Sequence, residues 1–169
     1  MIRLLFAVAL SVSILGCGYT TREQTPGGIE SVAVETFVNE TYEHGLDIDV
    51  TDAVLRELAF DGRLEVRSPE SADAVLAGRV TRYSRSPYAY DLEDRDVREY
   101  RVTVWVEATL TRRDTGRPLW VGPEGEAATL QFKGDASYLV LSDEDITTAK
   151  ALALEDLAQR LVHEVVEGW

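Results

Sequence analysis

Apolar and polar residues alternate along this chain with two different periods, and those periods divide it into strands and helices. The plainest strand pattern runs from Tyr100 to Thr111. Tyr100, Val102, Val104, Val106, Ala108 and Leu110 fall on one face, and Arg101, Thr103, Trp105, Glu107 and Thr109 on the other. Successive strand side chains point to opposite faces, so this strand is expected to bury one face and wet the other. Ser31 to Phe37 has strand composition, with Val32 and Val34 on one face. Leu64 to Val66 reads as a short strand, and Ala72 to Tyr83 as a longer one broken at Gly78. Ser84 to Arg98 is polar and tyrosine-bearing, a loop or flared hairpin. Asp114-Thr115-Gly116 is a turn. A return strand is expected to begin at Arg117 to Trp120, pause at Gly122-Pro123 and continue from Ala127 to Phe132.

The helical period appears twice. From Asp47 to Phe60, Val50, Val54 and Leu58 recur every four residues beside Leu55, and Asp61-Gly62 ends the run. A second helix is expected from Ser142 to about Gly168-Trp169. Ser142 and Asp145 have capping-box spacing, and Ile146, Ala149, Ala153, Leu157, Leu161 and Val165 form the apolar stripe. The order strand, helix, strands, helix predicts an α+β fold, with two helices packed on one face of a mostly antiparallel or mixed β-sheet.

The amino terminus follows neither period. One charge, Arg3, precedes an apolar run from Leu4 to Leu15, interrupted only by Ser11 and Ser13. That length suits a signal-peptide core and falls short of the roughly 20 residues of a membrane span. The run ends in Ile14-Leu15-Gly16-Cys17, which resembles the bacterial lipobox, although a residue smaller than Leu15 is commoner two places before the cysteine. The resemblance implies cleavage before Cys17, diacylglycerol on its thiol and an N-acyl chain such as palmitate on its new amino group. The plainer alternative is an ordinary signal peptide with a chance cysteine. Several acyl chains anchor stably where one is marginal. Gly18 in place of Asp favours the outer membrane by analogy. The expected organisation is a signal peptide at 1–16, a lipidated tether at 17–29 containing Pro26-Gly27-Gly28, and one domain at 30–169. Residue 17 is the only cysteine, so no intrachain disulfide can form and the core must hold the fold.

Charge narrows the partners. The chain carries a formal net charge of −13, or −14 once Arg3 is removed, which repels nucleic acid and anionic surfaces at long range. Catalytic chemistry finds no foothold. His44 and His163 lie in different elements, without metal-ligand or triad spacing, and read as solvated or structural. There is no nucleophile elbow, phosphate loop or dinucleotide fingerprint. The acidic runs at Asp91 to Asp96 and Asp143 to Asp145 read as solvated charge, with a calcium site in the first as the sharper alternative. No enzyme activity, metal or cofactor is expected beyond the acyl groups on Cys17. Contact residues are more promising. Trp105 lies opposite the apolar stripe, either covered by another element or presented to a partner. Tyr83, Tyr88 and Tyr90 gather near Arg82, Arg85 and Arg95, the aromatic and arginine mixture favoured at interfaces. Arg112, Arg113 and Arg117 surround the Asp114 turn and read as a soluble hairpin tip.

The order of local motifs is more specific than any one of them. Gly16-Cys17-Gly18-Tyr19 is followed by Val32 to Thr41 (VAVETFVNET), Gly45-Leu46, Thr51-Asp52-Ala53-Val54 and Ala72-Asp73-Ala74-Val75-Leu76-Ala77-Gly78. Then come Val80 to Tyr83, Tyr90-Asp91, Tyr100 to Val104, Asp114 to Gly116 and Leu119-Trp120. Together they resemble the lipopolysaccharide-assembly lipoprotein family, LptE, over nearly the whole mature chain. The resemblance implies a non-enzymatic α+β domain seated as plug and assembly partner inside the outer-membrane β-barrel LptD. Together the two move lipopolysaccharide to the outer leaflet. Some members bind lipopolysaccharide through basic side chains at the loop end of the sheet. Carried over here, the candidates are Arg95 and Arg98, then Arg85 and Lys133, with Trp105, Tyr88 and Tyr90 as partner contacts. Asp91, Glu93, Asp94 and Asp96 crowd the same loop and oppose an anionic ligand. Two other readings stay open: a lipoprotein activator of a peptidoglycan synthase, whose first strand and turn are similar to Val32–Thr41, and a ligand-binding lipoprotein.

Overall fold

The computed structural model describes residues 28–91, 97–139 and 143–168. The expected signal, Cys17 and most of the tether, Arg95, and the Ser142 cap lie outside the described residues. In chain order the elements are β1 (Ser31–Val34), β2 (Val38–Asn39), α1 (Leu46–Asp61), β3 (Glu65–Val66), β4 (Ala74–Tyr90), β5 (Val97–Arg112), β6 (Leu130–Leu139) and α2 (Asp143–Glu167). The sheet runs β3-β1-β4-β5-β6, with β2 also beside β4. β1, β2 and β3 join it in parallel, while β4, β5 and β6 form an antiparallel meander. Both helices pack on one face, giving the α+β architecture that the periodicity predicts.

The alternation of β5 carries through. Val102, Val104, Val106, Ala108 and Leu110 are all buried. They meet Val50, Val54 and Leu58 of α1 and Ala149, Ala153, Leu157 and Leu161 of α2 in one core. Burying each large side chain contributes about 1.5–3 kcal/mol before entropy is subtracted. Gly62 adopts φ 71° and its N–H donates to the Leu58 carbonyl, which caps α1 as expected. Among the described residues no helix is long and apolar enough to cross a membrane.

Several motif residues prove to be fastenings of the fold. The Thr51 hydroxyl donates to the Asp47 carbonyl and accepts the buried Phe37 N–H at 3.0 Å, which ties the β1–β2 link to α1. Asn39 accepts from the Thr41 N–H and hydroxyl and donates to the Glu43 carbonyl, folding the turn before α1. Asp73 Oδ2 accepts from the N–H groups of Glu30 and Ser31 and from the Ser31 hydroxyl at 2.7 Å. Those three donors hold its carboxyl below the ordinary range, the Ser31 hydroxyl contributing most.

Three expectations need correction, and one open alternative is decided. Gly78 does not break β4, because the strand continues through it to Tyr90. A Cβ at Gly78 would strike the Phe37 ring and come within 2.8 Å of the Glu107 carbonyl, so the glycine is a slot for Phe37. Ser31–Phe37 is not one strand: β1 stops at Val34 opposite Leu76, and β2 resumes at Val38 opposite Arg79, three positions further along β4. Of the two readings of the polar Ser84–Arg98 stretch, the hairpin holds, with Ser84↔Thr103, Ser86↔Arg101 and Tyr90↔Val97 in register. Cross-strand hydrogen bonding overrides its weak hydrophobic pattern. The return strand is also displaced. Residues 117–127 make only isolated bridges, Thr111↔Pro118 and Val121↔Ala127. The strand that pairs with β5 is Leu130–Leu139, whose Phe132, Gly134, Ala136 and Tyr138 face inward. Gly134 sits under α2, where a Cβ would collide with the Ala153 carbonyl and the Leu157 backbone.

Candidate functional site

The sheet face away from the helices is ordered in rows across β4, β5 and β6. In one row Arg79, Glu107 and Gln131 stand side by side. Arg79 binds Glu107 at 2.6 Å and Gln131 donates to it at 3.0 Å, so the Glu107 carboxyl lies below its usual range. The next row is Arg82, Trp105 and Lys133. A tryptophan therefore stands between two cations, and the Arg82 guanidinium lies 5.2 Å from the centre of its ring. The third row is Ser84, Thr103 and Asp135, and the fourth Ser86, Arg101 and Ser137. Arg101 covers the Tyr88 ring at 3.8 Å. Thr103, between Arg101 and Trp105 on this face, is only 6% exposed.

A β-bulge sets these rows. Val80 pairs with Val106, but Arg82, not Thr81, pairs with Trp105. One extra residue in one strand reverses the faces of everything beyond it. Arg82 is thereby turned to the open face. Tyr83 and Arg85 turn to the helix side, opposite Val104 and Val102. The tyrosine and arginine group seen in the sequence is thus split across two faces. On the helix side Tyr100 and Tyr138 stack at 6.0 Å, and Arg85 lies 4.5 and 5.6 Å from their centres. The Tyr138 hydroxyl is buried without a hydrogen-bond partner among the described residues. Burial pushes the Tyr83 phenol above its ordinary range.

The basic candidates differ in what already neutralises them. Arg98 pairs with Asp91. Lys133 pairs with Asp135 at 2.9 Å and depresses its carboxyl. Arg85 meets aromatic rings, and among the described residues no carboxylate pairs with it. Arg95 lies outside the described residues. Tyr88 and Tyr90 are 53% and 58% exposed at the hairpin end, so both are presented. Trp105 is partly covered, by Arg82 and not by a helix. In the sequence Arg82 groups with the tyrosines, and Lys133 stands apart from them. Their meeting at Trp105 depends on the bulge, whose sequence sign is the change of parity between apolar Val80 and Tyr83.

No cluster of His, Cys, Asp and Glu among the described residues could hold a metal ion. The hollow on the open face, about 380 Å³, is shallow and lined by Val38, Glu40, Ala77, Arg79, Glu107 and Thr109. Its Glu107 and Arg79 neutralise one another. What the face offers is flat contact area, aromatic and cationic, of the kind proteins use to hold a partner.

The protein is thus an α+β domain with two helices behind a mixed sheet, its open face lined by aromatic and arginine side chains. A model of the lipopolysaccharide-assembly family LptE matches residues 29–167. The chain belongs to that family, a family of non-enzymatic assembly lipoproteins. Solved structures share the fold at low identity. Protein XCC0632 from Xanthomonas campestris is 18% identical, with 80% of this chain and 83% of that chain covered and a TM-score of 0.59. Protein CT253 from Chlamydia trachomatis is 13% identical, with 80% and 94% covered and a TM-score of 0.53. PelC from Paraburkholderia phytofirmans, a dodecamer, is 17% identical, with 83% and 88% covered and a TM-score of 0.50. No curated protein sequence matches significantly.

Proposed function

We propose that this protein is anchored by acyl chains on Cys17 to the outer membrane, on its periplasmic face, and acts as plug and assembly partner of an LptD-like β-barrel in lipopolysaccharide transport. Family membership over residues 29–167 is the observation that carries this reading. The open face supports it. Its central row joins Trp105 to Arg82 and Lys133, residue types favoured where interfaces bury their anchors. A barrel wall lined by acidic and aromatic groups would complement this row.

Direct lipopolysaccharide contact, if the domain makes it, falls first to Arg85, because Arg98 and Lys133 are already ion-paired. A guanidinium laid over two tyrosine rings is pre-oriented to form a charge-assisted pair with phosphate. Arg95 is the fourth candidate. Arg85→Gln is expected to weaken capture of lipopolysaccharide several-fold, and Lys133→Gln much less. Equal losses would remove Arg85 from the role.

The partner reading is tested with Trp105→Asp in the full chain, purified in mild detergent from its own envelope. The expected result is loss of the co-purifying barrel with an unchanged melting temperature. A normal yield of barrel would end the contact role of Trp105.

A further inference from the structure

The fold has two ends, and one of them is closed by a short cationic turn. β1 and β4 begin at one end, and β5 finishes there, since Val32 pairs with Ala74 and Ala74 with Arg112. The chain enters the domain at the same end. The Glu30 and Ser31 N–H groups bind the Asp73 carboxylate, while the Arg113 N–H binds the Asp73 carbonyl. The turn closing that end reads Arg112-Arg113-Asp114-Thr115-Gly116-Arg117, three cations and one anion in a chain of net charge −13.

The turn is held out rigidly. The Arg112 N–H donates to the Arg117 carbonyl, the Gly116 N–H to the Arg112 carbonyl, and Gly116 takes φ 64°. Arg113 Nε donates to the Ala72 carbonyl at 2.6 Å. Arg113 and Arg117 are exposed, and no carboxylate pairs with either among the described residues. The nearby acids are engaged. Asp73 is taken by three donors, and Glu65 by Arg67 at 2.6 Å. Asp61 and Glu167, at the helix ends, are both bound by Arg63. Glu30 is engaged as well, and Asp114, within the turn itself, is the charge that opposes the arginines.

We propose that the Arg112–Arg117 turn is the membrane-facing corner of the domain, contacting the phosphate groups of anionic phospholipids. The proposal rests on acylation of Cys17. The eleven peptide steps from Cys17 to Gly28 span at most about 40 Å, so an anchor there keeps the point of chain entry, and the turn beside it, within that distance of the bilayer. Arg113 and Arg117, exposed and without a carboxylate partner among the described residues, supply the attraction to anionic headgroups that sets which end faces the lipid.

The absence of a second cysteine makes the test specific. With Cys17 acylated, Thr115→Cys carries the one reactive thiol, which takes a fluorophore. The full-length lipidated protein is placed in phosphatidylethanolamine nanodiscs, with or without phosphatidylglycerol, containing a headgroup-labelled nitroxide lipid as quencher. Quenching is expected to be several-fold stronger with phosphatidylglycerol and to fall in 1 M salt, where the Debye length shrinks to about 3 Å. It should also fall in the variant carrying Arg112→Gln, Arg113→Gln and Arg117→Gln. Arg117→Glu alone, which removes no side-chain contact of the fold, should reproduce most of that fall. Equal quenching in both lipid mixtures, or quenching untouched by these variants, overturns the corner. A mass spectrum showing unacylated Cys17 removes the anchor and the proposal together. Strong lipid-dependent quenching without a co-purifying barrel sustains the corner and sinks only the assembly reading.

Discussion

Asp73 shows how a single side chain can join distant parts of this chain. Its carboxylate gathers donors from Glu30 and Ser31, and its own N–H binds the Ser31 hydroxyl. Its folded pKa is depressed, so its contribution to stability is complete above the unfolded value of about 4. That contribution disappears as pH falls through the folded value. Urea midpoints of the natural chain and Asp73→Asn should therefore differ at pH 7 and converge as pH drops below about 4. A constant gap would mean that the carboxylate charge is irrelevant. Gly134 makes a steric argument of the same local kind. Gly134→Ala drives a methyl into the α2 backbone at Ala153 and Leu157, which cannot retract as a side-chain tip can. A cost of about 3 kcal/mol or more is expected, read as a large fall in the urea midpoint. Thr51→Val strands the buried Phe37 N–H and should cost about 1–3 kcal/mol.

At the scale of elements, strict periodicity was legible and interrupted periodicity was not. The β5 alternation and both helix stripes could be read directly, because burial on one face imposes the period. Gly78 looked like a break because a strand glycine often marks one. The requirement it answers, room for Phe37, comes from a residue 41 positions earlier. Residues 117–127 looked like strand because Leu119 and Trp120 are apolar. Trp120 is in fact buried against Phe132, with ring centres 5.9 Å apart, so its apolarity reports core and not pairing. The Thr81 bulge shows in the sequence only as a change of parity between Val80 and Tyr83. Its consequence can be tested. Deleting Thr81 removes the extra residue while Arg82 still follows Val80, so Arg82 should stay beside Trp105, and Tyr83 and Arg85 on the helix side. The near-ultraviolet tyrosine signal should then persist. Its collapse would show that Thr81 is not the residue that sets the faces.

The molecule as a whole is a two-sided body with distinct ends. Helices and core occupy one side, and the rows centred on Trp105 occupy the other. The chain enters beside the Arg112–Arg117 turn, while the hairpin bearing Tyr88 and Tyr90 lies at the opposite end. The proposed plug role would draw on this arrangement: chain entry at one end, an aromatic and cationic face along the length and exposed tyrosines at the far tip. The motifs that made the family recognisable, Asn39, Thr51, Asp73 and Gly78, build the scaffold. They therefore identified the fold more securely than the contact surface, whose residues meet only through strand register. The most direct measurement is mild-detergent affinity purification of the tagged, lipidated protein from its own envelope, with mass spectrometry of what accompanies it. The account predicts one large β-barrel protein in stoichiometric amount, lost when barrel assembly in the envelope is blocked. A peptidoglycan synthase in its place, or no stoichiometric partner, would contradict it.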